Sequence, residues 1–131
     1  MAQIEGRVRE LLEQPNFCFV ATVRADGTPH VTPVWVDVEG DEVVLNSAEG
    51  RAWPSNLERD PRATLTIADK DNQYEYVSIR GRLAAKTTDG ADDHIDAMAK
   101  KYLGQDEYPF RQPGEERIIL RFTPEKVHHN A

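Results

Sequence analysis

The most constraining feature of the sequence is a pair of strand patterns joined by a two-residue turn. The run FCFVATVR (17–24) is rich in aromatic and β-branched residues, and PHVTPVWVDV (29–38) alternates between two faces. Asp26-Gly27 lies between them and favours a tight hairpin, because both positions tolerate positive φ. Pro33 cannot donate a hydrogen bond to a neighbouring strand, so its strand is predicted to lie at a sheet edge or to contain a bulge.

The same kind of pattern continues along the chain. Further strands are predicted at 42–48, 62–68, 73–86 and 117–123, the last ending at Pro124, and Gly81 is expected to mark a bend or bulge. Helices are predicted at 3–13, at 51–60, and from a cap at Thr88-Asp89 to Gly104. Six strands with little helix between them predict a mainly β, closed antiparallel barrel with short helices at its ends. A length of 131 residues predicts one domain over 1–131.

Charge and composition exclude several classes of protein. The net charge of −7 argues against general nucleic-acid binding, which needs a basic surface. No stretch resembles a signal peptide, and no apolar window is long enough to cross a bilayer, so no membrane partner is expected. The single cysteine, Cys18, lies in an apolar run and is predicted to be a buried thiol, which fits a reducing cytoplasm.

The positive charge is unevenly distributed. Five arginines fall in the middle third of the chain, and they predict a basic pocket for a small anionic ligand: Arg51, Arg59, Arg62, Arg80 and Arg82. The four histidines have no Cys or carboxylate partners at ligand spacing, so no metal site is predicted. Neither a Gly-x-Ser-x-Gly motif nor a glycine-rich phosphate loop is present, and catalysis by protein side chains is therefore poorly supported.

The central and carboxy-terminal motifs resemble a known family. The pattern ATVRADGTPHVTPVWVDVEGDEVVLNSAEGRA, followed by NLERDPRATL, resembles the split β-barrel oxidoreductases related to pyridoxamine phosphate oxidase. It is most similar to the branch that uses the deazaflavin coenzyme F420. The stretches YVSIRGR, KKYLGQDEYPFR and PGEERIILRFTPEKV are also similar to that branch, so the resemblance extends from Phe17 to Val127.

The resemblance implies a homodimer of six-stranded split barrels with a flavin-type ring in a groove at the dimer interface. It places Thr32, Pro33, Val34 and Trp35 beside the ring and Asn46, Ser47 and Ala48 along its other side. Val34 and Trp35 would support the ring, whereas Thr32 and Ser47 would hydrogen-bond its polar edge. Arg51 and Asn56 would hold the phosphate of the cofactor tail. Tyr108, Phe110 and Arg111 are candidates for covering the pocket from the second subunit.

A physical argument agrees with a phosphate site at residues 51–56. If Pro54 is the first helical residue, Ser55 and Asn56 present free first-turn amides with Arg51 just before them, and such a helix start favours an anion. The alternative is a surface helix with a solvated arginine. In the F420-using branch that the chain resembles, this loop commonly reads Gly-Arg-x-Lys-x-x-Asn, and Trp53 occupies the position of the lysine. We predict that the indole packs near the cofactor, with ordinary core packing as the alternative.

The family resemblance, together with the argument for an anion site, implies an oxidoreductase that transfers a hydride between reduced coenzyme F420 and a small organic acceptor. The cofactor would carry the chemistry while the protein orients the reactants and excludes water. Three alternatives stay open: an FMN-dependent reductase or oxidase, a non-catalytic protein that binds flavin, haem or a similar ligand, and a structural dimer with a vestigial pocket. The loop 105–116 carries no pattern that identifies the substrate.

Overall fold

A computed structural model describes residues 2–131. In chain order its elements are α1 (Gly6–Glu13), β1 (Cys18–Val23), β2 (Pro29–Val34), β3 (Asp37–Glu39), β4 (Glu42–Ala48), α2 (Ala52–Arg59), β5 (Arg62–Asp69), β6 (Asn72–Thr87), α3 (Ala91–Leu103) and β7 (Arg117–Asn130). Within residues 2–131, no helix is both long enough and apolar enough to cross a membrane.

The seven strands form one antiparallel sheet in the order β2-β1-β5-β6-β7-β4-β3. The sheet curls around a core in which Val20, Leu65, Ile79, Leu120 and Leu45 are fully buried. Because β2 and β3 have no further strand beside them within residues 2–131, the barrel is split, as the family resemblance implies, and not closed. Pro33 does lie on an edge strand, as predicted, so its missing amide costs no hydrogen bond within the sheet.

The predicted strand at 29–38 is divided, so the count of six strands was wrong. The backbone groups of Val36 bond to side chains instead of to a neighbouring strand. The Val36 amide donates to the Tyr102 hydroxyl (3.0 Å), and the Val36 carbonyl accepts from Lys101 Nζ (2.6 Å). With both backbone groups taken by α3, the chain leaves β1 after Val34 and starts a new pairing with β4 at Asp37. The two halves therefore become the two edges of the split sheet.

The last strand is longer than predicted, because Pro124 does not end it. β7 continues to Asn130 beside β6, and the register shifts between Arg80 and Gly81. The bulge predicted at Gly81 is confirmed, and the requirement for glycine is explained: a Cβ at this position would overlap the backbone carbonyl of Thr123. The third helix is capped by Gly90 instead of Thr88-Asp89, and it ends at Gly104 as predicted.

Candidate functional site

One cleft gathers several of the sequence-predicted site residues where the split sheet meets α3 and the loop 104–116. Its volume is about 160 Å³, and we refer to it as the aromatic cleft. The cleft is lined by Phe17, Pro33, Val34, Trp35, Asn46, Arg51, Ile95, Tyr108, Phe110 and Arg117. The cleft thus brings together five of the residues that the family resemblance assigns to the cofactor: Pro33, Val34, Trp35, Asn46 and Arg51.

Aromatic rings form one wall of the cleft. Trp35 stacks on Tyr102 with ring centroids 5.1 Å apart and planes 7° apart, and Tyr108 meets the indole edge-on at 5.9 Å. Phe110 in turn meets Tyr108 edge-on at 5.7 Å. Tyr102 is itself anchored, because its hydroxyl donates to the Asn16 carbonyl (2.6 Å). Stacking and anchoring together fix the plane of the Trp35 indole.

Asn46 lies at the centre of a hydrogen-bond network along the cleft. Its side-chain amide donates to the Ala91 carbonyl (2.9 Å) and to His94 Nδ1 (3.0 Å), and its oxygen accepts from Arg117 Nε (3.0 Å). Only this orientation of the amide satisfies all its partners. A flipped amide would place its NH2 group against the Nε–H donor of Arg117 and would lose the hydrogen bond to Ala91. Both N–H groups of the Asn46 amide are therefore used within the protein, and one lone pair of its oxygen remains available.

The same network fixes the tautomer of His94. Since Nδ1 accepts from Asn46, the ring proton is on Nε2, which donates to the Asp37 carboxylate (3.1 Å). Burial tends to raise the pKa of Asp37, but hydrogen bonds from His94 and from the Val38 amide outweigh it, and the pKa is lowered. His94 is thus a buried neutral imidazole that orients Asn46.

Arg117 is a buried cation at the inner end of the cleft. Its side chain is only 2% exposed, and its Nη1 pairs with the carboxylate of Glu115, whose side chain is 7% exposed. The guanidinium also lies over the Tyr108 ring, 5.0 Å from the centroid. Within residues 2–131, Nη2 has no hydrogen-bond partner, so it can donate to a ligand in the cleft.

The predicted phosphate site at the start of α2 has a different geometry from the one expected. The helix begins at Ala52, so Pro54 is its third residue and not its first. The Ser55 amide donates to the Arg51 carbonyl (3.4 Å) and is not free. The first-turn amides that remain for an anion are those of Ala52 and Trp53.

Asn56 is also committed to the protein itself. It is buried, its Nδ2 donates to Thr22 Oγ1 (3.1 Å), and its Oδ1 accepts from Arg59 (3.0 Å). Arg51, in contrast, is exposed and has no ion pair within residues 2–131. Of this pair, only Arg51 is both at the cleft and unoccupied.

The remaining predicted residues do not line the aromatic cleft. Trp53 is 5% exposed and packs in the core with Leu57, which agrees with the alternative of ordinary core packing. Ser47 is fully buried, and its hydroxyl has no partner within residues 2–131, so it presents no group at the surface. Ala48 is buried, and Thr32 lies on the face of β2 opposite Pro33.

Two of the three loop residues expected to act across a dimer line the cleft of their own chain. Tyr108 and Phe110 line it, whereas Arg111 folds back to pair with Asp92 (2.9 Å) and Asp96 (2.7 Å) on α3. The sequence analysis did not single out Phe17, Ile95, His94 or Arg117. A signal existed for Arg117, because Glu115 and Arg117 are two residues apart at a strand start and so share one face.

A second and larger cavity lies on the outer face of the sheet. Its volume is about 580 Å³, and it includes Arg62, Arg80 and Arg82, three of the five clustered arginines. Arg51 and Arg59 do not line it. The basic pocket predicted from the charge distribution therefore exists, but it is separate from the aromatic cleft. We refer to it as the basic groove.

Comparisons with known proteins agree with this architecture. The family model described as pyridoxamine 5′-phosphate oxidase matches residues 4–131. A solved structure of an F420 reductase is 26% identical to this chain, with a TM-score of 0.80, over 92% of this chain and 94% of that one. A conserved hypothetical protein from Mycobacterium tuberculosis is 20% identical, with a TM-score of 0.72, over 98% of this chain and 87% of that one.

Proposed function

Because the chain belongs to the pyridoxamine 5′-phosphate oxidase family, we propose that it is an oxidoreductase holding a flavin-type ring in the aromatic cleft. We assign the ring to coenzyme F420, with FMN as the alternative, since an F420 reductase is among its structural relatives. The bound ring would supply the hydride chemistry, exchanging a hydride with a small organic acceptor.

The observation that carries this proposal is the donor and acceptor set of the cleft. Asn46 has one free lone pair, and Arg117 Nη2 has free N–H groups, beside the flat Trp35 indole. This set matches the N–H and one carbonyl of an imide edge, in which an N–H lies between two carbonyl groups, and flavin-type rings carry such an edge. The aromatic wall would exclude water from the ring, and Arg51 would meet the negatively charged tail.

We further propose that a second copy of the chain completes the site. The cleft of one chain, at about 160 Å³, is smaller than ligand pockets usually are, about 300 Å³ or more. Through Phe17, which lines the cleft and directly precedes β1, it is continuous with an apolar patch on the outer faces of β1 and β2; Phe17, Phe19 and Val31 are 55%, 47% and 58% exposed. Exposed apolar surface of this kind marks an interaction site.

Titration of the purified protein with F420 and with FMN tests the assignment of the cofactor. We expect tight binding of F420, weakened about tenfold in Trp35→Leu and in Arg117→Lys, each by the loss of about 1.4 kcal/mol. Trp53→Phe is the matched control, because this second tryptophan lies in the core and should leave the affinity unchanged. If neither cofactor binds, or if Trp35→Leu binds as wild type does, the proposal is wrong.

Turnover and mass measurements test the remaining parts. Reduced cofactor should be oxidised by members of a panel of quinones, enones and dyes; binding without any oxidation would instead support a ligand-binding protein. Light scattering should give the mass of a dimer, and Phe19→Asp should give a folded monomer that loses the ring. Tyr74→Asp, at an aromatic residue 87% exposed in the β5–β6 hairpin, should remain dimeric.

A further inference from the structure

The basic groove holds more positive charge than the fold explains. It lies across the outer faces of β1, β2, β5, β6 and β7. Four cations line it, Arg62, Arg80, Arg82 and Lys126, together with the carboxylate of Glu125. This concentration occurs in a chain whose net charge is −7, so the groove is a local exception to the charge of the whole protein.

The strand register places these cations in two like-charged pairs. Arg62 is opposite Arg82 on β5 and β6, and Arg80 is opposite Lys126 on β6 and β7. Side chains directly opposite each other have Cβ atoms about 5 Å apart, and like charges in such positions destabilise a sheet. Two such pairs side by side are unfavourable unless something neutralises them.

The bulge between β6 and β7 creates this arrangement. Gly81 is opposite Pro124, whereas Arg80 is opposite Lys126, so Glu125 is the extra residue. Because Gly81 has no side chain, the backbone of β7 can approach it closely. The bulge then places Lys126 opposite Arg80. Bulges of this kind commonly re-aim side chains next to functional sites.

Only half of the positive charge is neutralised within residues 2–131. Arg62 pairs with Asp60 (2.8 Å), and Arg82 pairs with Glu125 (3.3 Å). The hydrogen bonds from Arg62 lower the pKa of Asp60 to about 2, which keeps this carboxylate ionised. Arg80 and Lys126 have no carboxylate within ion-pair distance in the described part of the chain, so they are free to meet an external anion.

We propose that the basic groove binds a small multivalent oxyanion, carrying phosphate or carboxylate groups, between Arg80 and Lys126. Arg62 and Arg82 add positive potential at the rim, and Thr64 lies on the same row of the sheet between Ala21 and Arg80. The site is distinct from the aromatic cleft. Pro29 at the groove and Pro33 at the cleft are four residues apart on β2, or about 13 Å of strand. The proposal does not depend on the identity of the ring.

Calorimetric titration with inorganic pyrophosphate and with citrate at low ionic strength tests this site. The wild-type protein should bind at least one of them, and the double variant R80Q/K126Q should bind about 100-fold more weakly, at about tenfold for each cation removed. The control K70Q/K100Q removes the same charge from exposed positions outside the groove and should bind as wild type does. Absence of wild-type binding, or equal weakening in both double variants, would overturn the proposal.

A cofactor titration of R80Q/K126Q identifies the source of the anion. If the affinity for F420 or FMN falls together with that for pyrophosphate, the groove holds the charged tail of the same ligand. If only pyrophosphate binding is lost, the groove binds a separate anion. If neither affinity changes, the groove is not an anion site, whatever the aromatic cleft binds.

Discussion

Replacing Arg117 by Met should destabilise the fold by about 3–5 kcal/mol at pH 7. Glu115 is 7% exposed at its side chain, and Arg117 is the cation that neutralises it. Removing one partner of a buried pair leaves an uncompensated charge, and such changes typically cost this much. For a domain of this size the loss is a large part of the total stability, which is usually about 5–15 kcal/mol.

The pKa of Glu115 determines how the cost of Arg117→Met changes with pH. In the wild type, burial acts to raise the pKa of Glu115, but the hydrogen bond and charge of Arg117, the Gln112 amide and the charge of Arg51 together outweigh it, and the pKa is lowered. The ionised carboxylate therefore contributes stability above its unfolded pKa of about 4.3, and this contribution is lost as the pH falls. Without Arg117, only the Gln112 amide and the charge of Arg51 still oppose burial, so the folded pKa of Glu115 should rise, and the cost of Arg117→Met should shrink as the pH falls from 7 towards 4.

Urea unfolding at several pH values measures both effects. Arg121→Met is the matched control, because Arg121 lies on the same strand but pairs with Glu39 at the surface, where an ion pair contributes about 0–1 kcal/mol. The double variant R117M/E115Q should recover most of the lost stability, since it leaves no buried charge. A cost below about 1 kcal/mol for Arg117→Met, or a cost independent of pH, would refute the reasoning.

Three further substitutions test other parts of the structure. Ser47→Ala should stabilise the protein by about 1 kcal/mol in urea unfolding, because it removes a buried hydroxyl without a partner, and it should leave cofactor affinity unchanged. Arg80→Gln should raise the stability of the ligand-free protein by up to about 1 kcal/mol at low salt, and this gain should vanish at high salt as screening removes the repulsion from Lys126. Trp53→Lys should lower the melting temperature instead of strengthening phosphate binding, because the lysine would enter the core.

Local patterns were sufficient to predict most of the fold. Alternation identified the strands, Asp26-Gly27 identified the hairpin, and Pro33 and Gly81 identified the edge and the bulge. The break at Val36 was not readable, because it depends on Tyr102 and Lys101, which reach it from α3. No pattern within β2 and β3 records this contact, whose partners are more than sixty residues away along the chain.

The start of α2 shows a limit of positional rules for proline. The amides of the first helical turn have no hydrogen-bond partner within the helix, so proline is tolerated at each position of that turn. The presence of a proline therefore does not show which of these positions it occupies. Here it occupies the third. The core position of Trp53 was readable, since Trp53 and Leu57 are four residues apart and therefore share one face of the helix.

The two cavities use positive charge in different ways, so the salt dependence of binding should distinguish their ligands. Arg117 is neutralised by Glu115, so it offers directed hydrogen bonds to a neutral polar edge more than it offers net charge. Arg80 and Lys126 are not neutralised, so they attract an anion through a field that salt screens. Ring binding at Trp35 should therefore change little with ionic strength, whereas anion binding in the groove should fall steeply. A single ligand with a flat ring and a charged tail would combine the two responses, and R80Q/K126Q would then reduce the salt-dependent part and leave the contribution of the ring.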